Sequence, residues 1–539
     1  MDRRLFRAPA RWQDLQAGFR WDIPARMNIA WLCCDSWAAR HPDRVAVIHR
    51  GADGARQLWT YGQIKRASDG LAVALAAQGV GRGDRVAVLL AQHPFVLVSH
   101  MAVLKLGAVV LPLFTLFGED ALRYRFSDSG ARAVITDPGN LDRVLALRPD
   151  VPDLSTVVST GAAPAPVLSL PELIRTPARG FAPADTAAED PAIMIYTSGT
   201  TGDPKGVLHA HRFLFGHLPC IELSQSLFPQ PGDIGWTPAD WAWIGGLMDM
   251  AIPCLYYGIP LVSHRFAKFD PDAAYRLMAE EGVSNAFIPP TALRLMKQAV
   301  VPGGLRLRAV SSGGEPLGAD MLDWGQGALG AGINELYGQT EANLIVGATS
   351  DFMDRVPGAM GLPVPGHDVR VLDADGAEAA TGEVGEVCLA LPDPVAFLRY
   401  WNKPEATENK VKNGWLHTGD LATRDAGGQL TFHARDDDVI TSAGYRIGPG
   451  EIEAALLRHP DVLMAAVVGE PDPVRTEIVV AHVVLRDGAE WDGMEAALKT
   501  LVRERVSAHL VPRKVLRAER LPMTATGKIM RRALRRGPG

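Results

Sequence analysis

Residues Tyr196-Thr-Ser-Gly-Thr-Thr-Gly-Asp-Pro-Lys-Gly206 follow directly on the apolar run Ala192-Ile-Met-Ile195. A short apolar run of this kind predicts a buried strand, and the Gly- and Thr-rich stretch predicts a loop at its end. Small residues let backbone N–H groups come close to phosphate oxygens. Thr197, Ser198, Thr200 and Thr201 add hydroxyl donors around Gly199 and Gly202, and Lys205 adds a positive charge. A plain surface turn needs no such set of hydroxyls and a lysine. The stretch is not a Walker A loop, because no Gly-Lys-Ser/Thr stands at the required spacing. An amphipathic segment begins at Val207.

Upstream of this loop, short β-branched runs alternate with helical stretches. Arg85–Leu90 and Ala133–Thr136 predict buried strands, with a helix over Glu119–Asp128 between them. That alternation predicts a layered α/β core. Downstream, near Gly361–Leu391, Gly- and Pro-punctuated alternation predicts an antiparallel β-subdomain. After the charged run Arg435-Asp-Asp-Asp438 comes a smaller unit of about 100 residues, a size that suits a small domain. It has a helix at Pro449–Arg458, strands at Ala465–Val468 and Glu477–Leu485, and a second helix near Met494–Arg505. The expected fold class is therefore α/β. A large N-terminal domain, residues 1–436, carries layered α/β sheets and the β-subdomain, and a small α+β C-terminal domain spans 437–539.

The whole chain sets further bounds. Of 539 residues, 47% are hydrophobic and 22% charged, which provides for more than one core. A net charge of -6 gives no nucleic-acid footprint. The basic tail Arg531, Arg532, Arg535, Arg536 reads as a solvated helix end. Five cysteines (33, 34, 220, 254, 388) form neither a C-x-x-C pair nor a metal-ligand spacing, which fits a reducing cytoplasm. The charged N-terminus lacks the apolar core of a signal peptide. Val96–Phe114 and Gly245–Ser263 are superficially membrane-like, but His100, Lys105 and Asp249 interrupt them, so buried helices or strand–helix pairs are expected.

The loop at 196–206 resembles the phosphate-binding signature of the adenylate-forming superfamily, which includes acyl-CoA synthetases, peptide-synthetase adenylation domains and luciferases. The resemblance recurs in order along most of the chain: Ser312-Gly-Gly-Glu-Pro316, Tyr337-Gly-Gln-Thr-Glu341, Trp415-Leu-His-Thr-Gly-Asp420, Arg435 with Gly444-Tyr-Arg446, and Thr526-Gly-Lys528. One such match is weak; six in register are strong.

The resemblance implies a set of roles. Asp420 binds the ribose hydroxyls with Arg435 as its partner. Tyr337 faces the adenine, and Gly314, Glu315 and Pro316 form the wall on its other side. Glu335, Leu336, Gly338 and Gln339 belong to the same nucleotide-contacting run, and Gly444 and Arg446 to a later one. Thr340 touches the α-phosphate. Thr200 and Glu341 are the expected Mg²⁺ ligands, since Mg²⁺ prefers oxygen ligands and phosphate bridging. Lys528 stabilises negative charge as the adenylate forms. The small domain works in two orientations, pivoting at Asp437, with Gly444 beside the pantetheine tunnel in the second. Ala434 stands where the family has glycine, and three aspartates follow Arg435, so the pivot is ambiguous by one residue.

These parts imply an acid–thiol ligase using ATP, Mg²⁺ and coenzyme A, with a small carboxylic acid as substrate and no nucleic acid or transmembrane segment; a homodimer is an assembly open to it. Loading of an acyl or aryl acid onto a carrier protein is the alternative. For the acid, acetyl-specific relatives place a tryptophan where this chain has Gly338, and Gly313 likewise replaces a larger side chain. With Trp243, Ile244 and Gly245 on the remaining side, the expectation is a roomier apolar pocket. The overall texture is closest to medium-chain acyl-CoA synthetases, and branched or aryl acids stay open. Ala342-Asn343 departs from the Thr-Gly or Thr-Val usual there.

Overall fold

The computed structural model describes the chain except residues 1–2, 9, 198–202, 316, 357, 436–437, 443–444, 473–475, 507–509, 525–527 and 536–539; of 441, 445–446, 451 and 476 it describes the backbone alone. Two large sheets carry the first 400 residues. In the eight-stranded sheet the order is Arg399–Tyr400, Lys205–Ala210, Pro191–Thr197, Val109–Pro112, Arg85–Leu89, Ala131–Thr136, Thr156–Ser159 and Leu168–Ser169. From Pro191–Thr197 onward in that order the neighbours run parallel. The nine-stranded sheet runs Leu362–Pro363, Ala342–Ala348, Ile333–Gln339, Ala309–Gly313, Asn285–Phe287, Gly235–Trp236, Leu261–Ser263, Val45–Arg50 and Arg56–Thr60.

The parallel strands are buried on both faces, as their Val/Ile/Leu-rich runs require. Val86, Val88, Ala133, Ile135 and Ile193 belong to one apolar core, and Ala87, Leu89, Val134 and Met194 to another on the opposite face. The helix Glu119–Ser129 ends on Gly130 at φ 58°, a left-handed cap that glycine adopts without a Cβ penalty.

Both membrane-like stretches are core elements. Pro94–Lys105 is a helix buried at every residue but Phe95. The ammonium of Lys105 is neutralised there by Asp35 at 2.7 Å and Asp69 at 2.6 Å, as an ion without water must be. The second stretch forms short helical turns over Ile244–Tyr257 and then the strand Leu261–Ser263. Among the described residues no helix is long and apolar enough to cross a membrane. All five cysteines are buried free thiols.

The expected β-subdomain is present as an antiparallel sheet of Val369–Leu372, Val384–Ala390, Trp415–Arg424 and Val411–Lys412, with Leu430–Arg435 also paired to Trp415–Arg424. The C-terminal residues build a separate sheet, ordered Tyr445–Ile447, Ile440–Ser442, Thr476–Leu485, Val462–Asp472, with Lys514–Arg517 on Thr476–Leu485. Helices Pro449–Leu456 and Met494–Arg505 close a core of their own through Ile452, Leu456, Leu498 and Val502. The basic tail is not merely solvated: Arg531 pairs with Glu453 at 2.8 Å and with Asp438 at 3.3 Å.

Candidate active site

Three chain segments reach the site from the carboxyl ends of strands, where open α/β sheets present their ligands. Pro191–Thr197 leads into the Thr/Gly loop, Ala309–Gly313 into Gly314 and Glu315, and Ile333–Gln339 into Thr340 and Glu341. The loop's flanks are fixed, because Thr197 and Lys205 face each other in an antiparallel pair. Ser198, Gly199, Thr200, Thr201 and Gly202 lie outside the described residues, as do Pro316, Asp437 and Gly444. Arg446 is placed by backbone alone, opposite Thr441.

Asp420 is the best-held polar group. Strand register sets it opposite Arg435, whose Nε donates to its Oδ1 at 3.2 Å. The Tyr337 hydroxyl donates to Oδ2 at 2.7 Å and Gln339 Nε2 at 3.2 Å. Burial first, and the neighbouring Asp420 second, push the Tyr337 phenol far above its ordinary range, so it stays protonated and donates. The turn that aims Asp420 is itself tied down. Gly419, at φ 75°, donates its N–H to Glu386 Oε1 at 2.7 Å, and Thr418 Oγ1 receives the Asp420 N–H at 3.0 Å. A carboxylate with charge-assisted partners on both oxygens is oriented before any ligand arrives.

Glu341 sits on the turn between Ile333–Gln339 and Ala342–Ala348 and not at a helix start. It is buried, and its Oε1 accepts from the Tyr400 hydroxyl at 2.5 Å. Lys205 Nζ stands 5.0 Å from the centre of the same Tyr400 ring. That ring therefore links Lys205 to Glu341. The residues described fit Mg²⁺: a hard carboxylate with one oxygen clamped, near Lys205 at the end of the Thr/Gly loop, is the sparse oxygen ligation this ion takes in nucleotide sites.

Lys528 reaches the same place from the small C-terminal sheet. Its loop is closed by Thr524 N–H to the Lys528 carbonyl at 2.7 Å and Lys528 N–H to Thr524 Oγ1 at 3.0 Å. Its Cε comes within 3.5 Å of the point where a Cβ on Gly314 would lie. Gly314 has φ 100°, which only glycine adopts readily, so the bare backbone there admits both the turn and the lysine. Lys528 is an exposed residue, yet desolvation by its neighbours, then Arg435, lower its ammonium pKa, while Glu315, Asp420 and Glu341 hold it up.

The structure corrects part of the pocket expectation. A Cβ on Gly313 would lie 2.6 Å from the Leu336 carbonyl. One on Gly338 would collide with Leu344 N, with Asn343 Cα 2.8 Å away. The space on the side-chain side of both glycines is filled by this chain's backbone, so neither leaves room for an acyl group. Gly245 differs, because what fills its space is the Trp243 ring, 2.8 Å from its would-be Cβ. The same indole comes within 3.5 Å of the would-be Cβ of Gly314 and lies 5.6 Å from the Phe287 ring. Trp243 and Lys528 thus approach one point, and their nearest atoms are at most twice that distance apart. The Glu335 carboxylate accepts from the Leu317 N–H at 3.1 Å and pairs with Arg355 at 2.8 Å. Leu336 is buried core.

Sequence reasoning missed Tyr400, Glu386 and Lys410. Lys410 donates to the Thr418 carbonyl at 2.9 Å, and burial pulls its pKa down against the pull of Glu341 and Asp420. None of the three has a local signature; only the pairing of distant strands brings them in.

Family models match both halves of this geometry: "AMP-binding enzyme" over residues 34–401 and "AMP-binding enzyme C-terminal domain" over 451–528. The chain belongs to the AMP-binding enzyme family. Within it, the chain stands with the adenylate-forming ligases named as acyl-CoA synthetases. It is 30% identical over 535 residues to acetyl-coenzyme A synthetase of Bacillus subtilis, covering 97% of this chain and 93% of that one. It is 31% identical over 551 residues to the mitochondrial acyl-coenzyme A synthetase ACSM4 of Rattus norvegicus, covering 98% and 94%. The crystal structure of the anthranilate CoA ligase AuaEII in complex with anthranoyl-AMP superposes with a TM-score of 0.86 at 26% identity, covering 96% of this chain and 98% of that one. The large N-terminal and small C-terminal units of this AMP-binding enzyme are those of such structures.

Proposed function

We propose that this AMP-binding enzyme activates a medium-chain, branched or aryl carboxylic acid as its acyl-adenylate, using ATP, and transfers the acyl group to coenzyme A. The observation that carries the reading is the meeting of Lys528 with Gly314, beside Asp420, Arg435 and Glu341. A carboxylate is a poor acyl donor because its leaving oxygen is very basic. Attack of one carboxylate oxygen on the α-phosphate of ATP forms the acyl–phosphate bond and expels pyrophosphate. Both reactants are anions, so positioning and charge stabilisation dominate the barrier. Asp420 accepts the ribose hydroxyls, and Tyr337 keeps that carboxylate in place while its ring faces the adenine. Thr340 and Lys528 stand where charge builds between the acid and the α-phosphate. Glu341 and Thr200 are the residues that would hold Mg²⁺, which supplies charge neutralisation on the phosphates.

In the second half-reaction the thiol of coenzyme A attacks the acyl carbonyl, and AMP leaves with the bonding electrons. Lys528 belongs to the first half, so the small domain, residues 437–539, must turn about Asp437 or its neighbour to admit the thiol. Gly444 then comes beside the pantetheine path. Trp243 marks the mouth of the acyl site, since its edge and Lys528 approach Gly314 together. An apolar floor of Trp243, Ile244 and Phe287 supports an acyl group larger than acetyl. The anthranilate ligase's likeness supports the aryl branch of this reading. The buried thiols support residence in a reducing compartment, the cytoplasm.

The test is coenzyme A-dependent AMP release from ATP and Mg²⁺ over acetate, butyrate, hexanoate, octanoate, palmitate, benzoate and phenylacetate. A maximum between butyrate and octanoate, or on the aryl acids, is expected. A maximum on acetate or palmitate overturns the acid assignment. Pyrophosphate release without coenzyme A-dependent turnover on any acid makes a carrier protein the acceptor.

A further inference from the structure

Among the described residues, one group of three His, Cys or acidic side chains brings its ligand atoms within 4.8 Å of one another: Glu386, Cys388 and His417. Strand pairing makes it. Cys388 stands opposite His417 in the antiparallel pair of Val384–Ala390 with Trp415–Arg424. Glu386 precedes Cys388 by two residues, so the two share a face of their strand. The register shifts between them, since Val387 alone faces the turn through Thr418, Gly419 and Asp420. His417 and Glu386 keep 27% and 29% of their side chains exposed, while Cys388 is buried. The group thus opens to solvent through an imidazole and a carboxylate and closes on a thiol.

His417 Nδ1 is the focus, 2.8 Å from Glu386 Oε2 and 3.5 Å from Cys388 Sγ. A Zn²⁺ held tetrahedrally, about 2.3 Å from sulfur and about 2.0 Å from nitrogen, sets those two ligands about 3.5 Å apart. The Cys–His separation already has this value, and the Glu386 oxygen need draw back by only about half an ångström. A His–Glu hydrogen bond accounts for two of the three groups; the thiol at tetrahedral distance is what adds a metal to the reading. Burial, then Glu386, push the Cys388 thiol up to about 12, while Lys410 pulls it down. A bound metal expels that proton to solvent, because the thiolate is the ligand. Thiolate and carboxylate then bring two negative charges against the one positive charge of Lys410. Thiolate, imidazole and a single carboxylate suit a borderline ion, whereas Mg²⁺ demands an octahedron of oxygens.

We propose that Glu386, Cys388 and His417 form a site for a borderline divalent cation of the Zn²⁺ class, apart from the Mg²⁺ position at Glu341. The three side chains supply three corners of a tetrahedron and leave the fourth to water. Glu386 couples this site to the nucleotide end of the enzyme, since its other oxygen, Oε1, accepts the Gly419 N–H at 2.7 Å, next to Asp420. Drawing Glu386 onto the ion loosens that bond, so an occupied site holds the ribose less well. The coupling rests on the acyl-activation reading above; the site itself does not.

The probe is Co²⁺, which takes Zn²⁺ positions and reports a thiolate ligand by a sulfur-to-metal charge-transfer band. Titrating the reduced, full-length protein with Co²⁺ should raise that band to saturation, and Zn²⁺ should abolish it. Cys388→Ser should remove the band, and Cys388→Ala, which should do the same, covers failure of the first variant to fold. His417→Gln should weaken Co²⁺ binding by roughly ten-fold or more. In ATP–pyrophosphate exchange with excess Mg²⁺, Zn²⁺ should raise the KM for ATP by roughly five-fold, the worth of one hydrogen bond, in the wild type and not in Cys388→Ser. No band from the folded, reduced protein in excess Co²⁺, or a band kept in both Cys388 variants, overturns the site. A band with an ATP KM indifferent to Zn²⁺ overturns the coupling alone. No exchange on any acid overturns acyl activation, and the cobalt band still decides the site.

Discussion

Replacing Trp243 by alanine removes the indole that lies against both Gly245 and Gly314. Unlike the backbone that fills the space beside Gly313 and Gly338, this obstruction is deletable without moving a strand. The opened volume lies beside Phe287 and Ile244, so it is lined by apolar surface. Octanoate is four methylenes longer than butyrate, and at about 0.8 kcal/mol for each one buried the gain approaches about 3 kcal/mol. That is a shift on the order of a hundred-fold in the octanoate-to-butyrate ratio of kcat/KM. The half-buried state of the indole makes this an upper bound, so ten-fold is the smallest shift the geometry accommodates. The assay is steady-state AMP release with both acids at saturating ATP and coenzyme A. A ratio unchanged within two-fold, in a variant that still turns over butyrate, refutes Trp243 as the boundary of the acyl site.

Two further outcomes follow from groups that have no freedom. Gly338→Ala forces a Cβ into three backbone atoms of residues 342–344, so the first thermal transition should fall by an amount matching about 1–3 kcal/mol of overpacking, with adenylation falling too; an unchanged midpoint contradicts the close approach. Lys410 has its pKa lowered chiefly by desolvation, so between its folded value and the ordinary lysine value the unfolded chain binds more protons. Unfolding free energy should rise with pH across that alkaline interval, and Lys410→Met should flatten the rise in urea midpoints measured against pH.

Much of the fold was legible because its signals are local. Arg85–Leu89 and Ala131–Thr136 are apolar runs of strand length, and Met494–Arg505 has helical periodicity, so each formed close to its expected bounds. Asp420 and Lys528 were legible through short motifs, since tight turns demand particular residues at fixed spacing. What stayed hidden depends on strand pairing over long separations. Tyr400 reaches Glu341 because Arg399–Tyr400 pairs with Lys205–Ala210, and Glu386 holds Gly419 because Val384–Ala390 pairs with Trp415–Arg424. The glycines misled for a related reason. A small residue in sequence reads as space, but at Gly313 and Gly338 the space is occupied by a neighbouring backbone that no local pattern announces.

The central claim is that Lys528 acts in adenylate formation and not in thioester formation. Its most direct test is Lys528→Ala, with the two half-reactions measured separately on the best acid of the panel. ATP–pyrophosphate exchange should fall by roughly a hundred-fold or more, the loss expected when one preorganised charge is removed from a developing anion. Thioester formation from supplied acyl-adenylate and coenzyme A should stay within a few-fold of the wild type. Equal loss in both half-reactions would contradict the account.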